Sequence, residues 1–114
     1  MIVPSFLINQ AEIAKGVKKV EKMFKPDVVR IGHTIAENWM GEPALYFRVL
    51  LSDAAGARIV HSVTNRLESG RELQGKIEEE METQVDPLGR WGLFPHFEYR
   101  SVSEQAYLKD QGWD

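Results

Sequence analysis

DVVRIGHTIAENWMGEPALYFRVLLSD, residues 27–53, reads as two extended segments, 27–35 and 43–53, on either side of a turn-rich stretch. Successive side chains on a strand point to opposite faces. Val29, Ile31, His33 and Ile35 are therefore expected to share one apolar face with Leu45, Phe47, Val49 and Leu51 of the partner strand. The other face then carries Arg30, Thr34, Tyr46 and Arg48. The connection from Ala36 to Glu42 is too long for a two-residue turn, and Gly41 and Pro43 supply the permissive and the rigid backbone that a wider loop needs. Trp39 sits in that loop.

The flanking segments must cover the apolar face. Upstream, Asn9 followed by Glu12 is a variant capping box, and Ile13, Val17, Val20 and Phe24 recur at helical spacing, which predicts a helix from about Gln10 to Lys25 that Pro26 stops. Residues 1–8 are apolar but broken by Pro4 and Ser5, and read as an arm that packs on the core or on a partner. Downstream, Ser52 and Asp53 suit an N-cap, and Ile59, Val60, Val63, Leu67, Leu73, Ile77, Met81 and Val85 keep a near-heptad spacing as far as Asp86-Pro87. One unbroken helix of about 30 residues would reach roughly 45 Å, about twice the length of the strands it covers, so a break at Ser69-Gly70 is expected.

Asp86 to Gly89 is expected to form a turn. Trp91 to Pro95 is a stiff aromatic lead-in to a third strand, about His96 to Ser103, with Phe97 and Tyr99 facing the core and Glu98 and Arg100 facing away. Residues 103–114 read as a short helix or tail anchored by Tyr107, Leu108 and Trp113. The expected fold is α+β in one domain, residues 1–114: an N-terminal helix, a β-hairpin, one long or broken helix, and a third strand completing a small antiparallel sheet covered on one face by helices. The third strand is expected beside the first.

At 114 residues and 43% apolar content the chain can bury one modest core. The absence of cysteine excludes disulfides and thiolate metal sites and agrees with a reducing compartment. No apolar run approaches the roughly 18–20 residues of a membrane span, and the first residues lack a basic leader, so a cytoplasmic location and no membrane partner are expected. A net charge of −3 gives no global attraction to nucleic acid or anionic lipid. Lys15, Lys18, Lys19, Lys22 and Lys25 cluster early, whereas Glu78, Glu79, Glu80 and Glu82 cluster late. Two helices of opposite sign follow, either solvated or paired within one chain or between protomers.

Arg30, Arg48 and Arg100, with Thr34, Tyr46 and Glu98 among them, form the candidate ligand or interaction face. Guanidiniums offer planar forks of donors that grip phosphate or carboxylate, so a small anion-binding domain or enzyme is one reading. The bland alternative is that their stems cover a wet sheet, with Glu98 paired to an arginine. Nucleic-acid stacking would have only Tyr46 to use, and no Gly-aromatic RNA-binding signature is present. His33, His61 and His96 lack metal-site spacing, and His33 falls on the apolar parity, as a core-edge histidine does. Acid–base chemistry through Glu37, His33 or Glu98 has no fixed geometry, no phosphate loop is present, and neither cofactor nor metal is expected. Trp39, Trp91 and Phe94 are the interface candidates, the alternative for the tryptophans being lids that close the core.

Glu37-Asn38-Trp39-Met40-Gly41-Glu42-Pro43-Ala44, Phe47-Arg48, Leu51-Ser52-Asp53, Asp86-Pro87-Leu88, Trp91-Gly92, Phe94-Pro95, Phe97, Tyr99-Arg100-Ser101 and Ser103-Glu104-Gln105-Ala106 together resemble the pattern of a family of small bacterial proteins with no activity attached. The resemblance covers most of the chain after Asp27. It implies a bacterial origin and a role beside a protein partner, as in toxin–antitoxin pairs, and carries over no functional residue. Exposed sheet edges, the apolar arm and the opposite-sign helices favour a homodimer or a protein partner. The expected function is that of a non-catalytic interaction or regulatory protein.

Overall fold

The computed structural model describes residues 9–58, 68–109 and 113. Helix α1 (Gln10–Met23) leads into the hairpin strands β1 (Val28–Glu37) and β2 (Pro43–Leu51). Residues 53–58 are helical, and α2 (Glu68–Gln84), the short α3 (Pro87–Trp91), β3 (Phe94–Ser101) and α4 (Val102–Leu108) complete the order. None of the helices among the described residues is long and apolar enough to cross a membrane.

Local chemistry sets these boundaries. Asn9 caps α1 by accepting from the Glu12 amide, as its spacing predicted. Ser52 Oγ accepts from Ala55 N and starts the helical residues 53–58. Ser101 and Glu104 close a reciprocal capping box at α4, and Asp53 accepts from both the amide and the hydroxyl of Ser103, tying the two helix starts together. These bonds hold the Asp53 carboxyl below its ordinary range, with burial a smaller opposing effect. Ser69 and Gly70, where a break was expected, are helical within α2; Ile59, Val60, Val63 and Leu67 lie outside the described residues, as do His61 and the arm 1–8.

The α+β architecture stands, but the sheet is mixed rather than antiparallel. Its order is β1-β2-β3, with β1 antiparallel to β2 and β3 parallel to β2, so that Leu45 lies beside Pro95 and Phe47 beside Phe97. The third strand thus joins the second strand, not the first. The physical reason is the helix between them: α2 has 17 residues, and at about 1.5 Å each it returns the chain along the length of β2, delivering it to the hairpin end for a second pass in the same direction.

A bulge between Val28 and Arg30 makes a second correction. It inserts Val29 as an extra residue, so Val28 takes the inward place and Val29 is 43% exposed. From Ile31 onward the expected alternation holds, with Ile31, His33 and Ile35 opposite Val49, Phe47 and Leu45. The Glu21 carboxylate of α1 accepts from the Ile31 amide, which blocks one position on the free edge of β1.

The core lies between the inner sheet face and the helices. Ile13, Val17 and Val20 of α1 meet Val28, Ile31, Leu45, Phe47, Val49 and Leu51 of the sheet and Leu73, Ile77 and Met81 of α2. Phe47 is fully buried and stacks on Phe97 at 5.0 Å between ring centres. Across the sheet the helix layer runs from α1, packed on β1 and α2, towards β3. At the α1–α2 crossing a Cβ on Gly16 would lie 2.7 Å from the Gln84 carbonyl oxygen, so only glycine permits this approach.

Candidate functional site

Strand pairing assembles the outer face into rows. Arg30, Leu50 and Arg100 form one, Gly32, Arg48 and Glu98 the next, and Thr34, Tyr46 and His96 the third. All six residues expected on the polar face are therefore brought together, because β2 and β3 keep strict alternation and the bulge precedes Arg30. Tyr46 and His96 stack at 4.9 Å. His96 Nε2 is buried and, among the described residues, has no hydrogen-bond partner.

The arginine heads are directed at the protein itself. Arg100 lies 4.5 Å over the Trp113 ring and donates to Gln105 Oε1, Arg30 donates to the Trp113 carbonyl, and Arg48 donates to Thr34 Oγ1 at 2.7 Å. Trp113 is 5% exposed, so the C-terminal indole is a lid over the row in which Leu50 is buried between the two arginines. This is the covering role the sequence allowed for tryptophan and arginine stems.

The hairpin end differs. Trp39 is 90% exposed and Met40 62%, on a loop whose shape is fixed internally: Asn38 Oδ1 accepts from the Met40 and Glu42 amides, and Asn38 N donates to the Glu42 carbonyl. Gly41 adopts φ +76°, the left-handed conformation that glycine takes without strain. Phe94 is 38% exposed and pairs with Ala44, which places it at the same end of the sheet. Trp91, grouped with these by the sequence reading, is instead 7% exposed and part of the core. The reason is α3, a single helical turn capped by Asp86 that rolls the indole inward.

A groove of about 450 Å³ opens between α2, α3 and β3, with Met81, Leu88, Pro95 and Phe97 on its walls and Glu79 and Glu82 at its rim. From spacing alone Glu78 to Glu82 fit a solvated helix face; the parallel placement of β3 instead sets Pro95 and Phe97 opposite those carboxylates. Glu78, also at the groove, accepts from Tyr99 OH at 2.7 Å; burial first, and then this carboxylate, push the phenol pKa far up. A smaller polar cleft of about 250 Å³ lies at the α1–α2 crossing beside Lys15, Lys19 and Arg90, where Arg90 pairs with Glu12 at 3.6 Å. Arg30, Arg48 and Arg100 line neither.

His33 faces inward opposite Phe47, whereas His96 faces outward, so the two do not converge, and no metal-ligating cluster occurs among the described residues. Burial lowers the His33 pKa. The unfolded chain, titrating near 6.5, then binds more protons than the folded one just below that value, and stability declines as pH falls from about 6.5 until the folded imidazole itself takes a proton. Urea titrations between about pH 7 and 5 are expected to show this slope, and His33→Leu to flatten it; an unchanged slope would assign it to other groups.

Compared with protein-family models, with curated proteins and with solved structures, the chain matches none.

Proposed function

We propose that this chain is a non-catalytic interaction protein of the cytoplasm, oligomeric and acting beside a protein partner, with the hairpin end of its sheet as the contact surface. The observation that carries the reading is Trp39, almost wholly in solvent on a loop whose own hydrogen bonds fix its shape. A large exposed aromatic on a backbone already fixed is the kind of residue that anchors a protein interface, because binding has to order the side chain but not the loop. Met40, its neighbour on the loop, is also exposed, and Phe94 stands at the same end of the sheet. The alternative, an anion-binding domain or enzyme on the arginine face, requires Arg30 and Arg100 to leave Trp113 before they grip a ligand.

Affinity capture of the chain from its source cells, read by mass spectrometry, tests the proposal. A partner held by the wild type and by Arg48→Ala but lost with Trp39→Ala is the expected result. A partner lost only with Arg48→Ala, or a bound nucleotide in its place, would move the function to the outer sheet face.

A further inference from the structure

We propose that the acidic-rimmed groove over β3 receives α1 from a second copy of this chain, each copy placing its basic helix in the other's groove. The proposal rests on the reading of the protein as an oligomeric interaction module and names the partner of a surface distinct from Trp39.

Three observations lead there. The groove has an apolar lining, with Leu88 and Pro95 exposed and Phe97 only half-buried, under a rim of the exposed carboxylates Glu79 and Glu82. Apolar walls under a negative rim fit an occupant with aliphatic stems and cationic ends. The face of α1 turned away from the core has that chemistry, since Lys15, Lys18 and Lys22 are exposed opposite Ile13, Val17 and Val20. Lysine stems can lie along Phe97 and Leu88 while their ammonium groups reach the rim. Within one chain the two surfaces do not meet. Among the described residues no lysine of α1 pairs with a glutamate of α2, and the ion pairs there are Arg58–Asp27 and Arg90–Glu12.

The layout lets the contact close. α1 covers β1, α2 follows, and the groove lies beyond α2 over β3. When two such layers face each other across a two-fold axis parallel to α2, the α1 of each comes opposite the groove of the other. The contact is reciprocal, so it ends at a dimer rather than a fibre. Gly75 lies at the groove on α2, and a Cβ there would meet nothing within 4 Å, which leaves room for the incoming helix. The 14 residues of α1 span about 21 Å, enough to run along the groove past Gly75, Glu79 and Glu82 of α2.

Sedimentation equilibrium of the purified full chain at low ionic strength tests this. The wild type is expected to dimerise and to weaken as salt shortens the Debye length. Glu79→Lys with Glu82→Lys makes groove and helix both basic, and Lys18→Glu with Lys22→Glu makes both acidic. Each double variant alone is expected to lose about a hundredfold or more in dimer affinity, and an equal mixture of the two to dimerise again. All four positions are exposed, and circular dichroism confirms that each variant folds. A monomeric wild type, a double variant that dimerises like the wild type, or a mixture that stays monomeric would overturn the proposal. A monomeric wild type would also remove the oligomeric part of the proposed function, whereas the contact with a protein partner is tested separately by capture with Trp39→Ala.

Discussion

Phe47→Ala is expected to remove about 3–5 kcal/mol of stability, since Phe47 is the largest fully buried side chain among the described residues. Phe47 sits on the central strand, is fully buried, and stacks on Phe97 of the parallel neighbour while facing His33 of the antiparallel one. Its ring therefore joins both halves of the sheet. Small domains have total stabilities of about 5–15 kcal/mol, so the variant should unfold at a much lower urea concentration and bring a population of open molecules into view. A loss under about 1.5 kcal/mol in equilibrium urea unfolding would mean that the cavity collapses, and that the core does not centre on β2.

Gly16→Val should cost about 3 kcal/mol, although valine is the better helix former. The added Cβ would lie 2.7 Å from the Gln84 carbonyl oxygen and 2.8 Å from Val85 Cγ2. The first of these is backbone and cannot rotate away, so α1 must lift off α2 and loosen Ile13, Val17 and Val20. Gly75→Ala is the matched control. It replaces a helical glycine where the new Cβ meets nothing, and should stabilise by about 0.5–1 kcal/mol. Equal effects at the two positions, read as shifts in the urea midpoint, would remove the close crossing from the account of this fold.

The parts of the fold set by short-range rules were legible in the sequence. Strict alternation placed Leu45, Phe47, Val49 and Leu51 inward on β2 and Arg48 outward, and Asn9 and Ser52 marked two helix starts. The misreadings have longer-range causes. The bulge at Val29 has no turn residue to announce it, since valine suits a strand in either parity. The direction of β3 depends on how many times the chain crosses the sheet between Leu51 and Phe94, which hydrophobic spacing does not encode. The candidate site divides in the same way. The outer-face arginines were placed by parity, but Trp113, which occupies two of them, comes from the far end of the chain. Trp91 and Trp39 both looked like loop aromatics, and only the single turn of α3 separates their fates.

The parallel pairing of β2 with β3 also orders events in time. Ile35 finds Leu45 across a short loop, whereas Leu45 waits for Pro95 until all the chain from Ser52 to Leu93 has been made. Contacts so distant in sequence close late, so the newly made chain carries its hairpin with one long side bare until the last strand arrives. That interval, rather than the finished molecule, is when the apolar segment 45–51 is most open to pairing with the wrong strand.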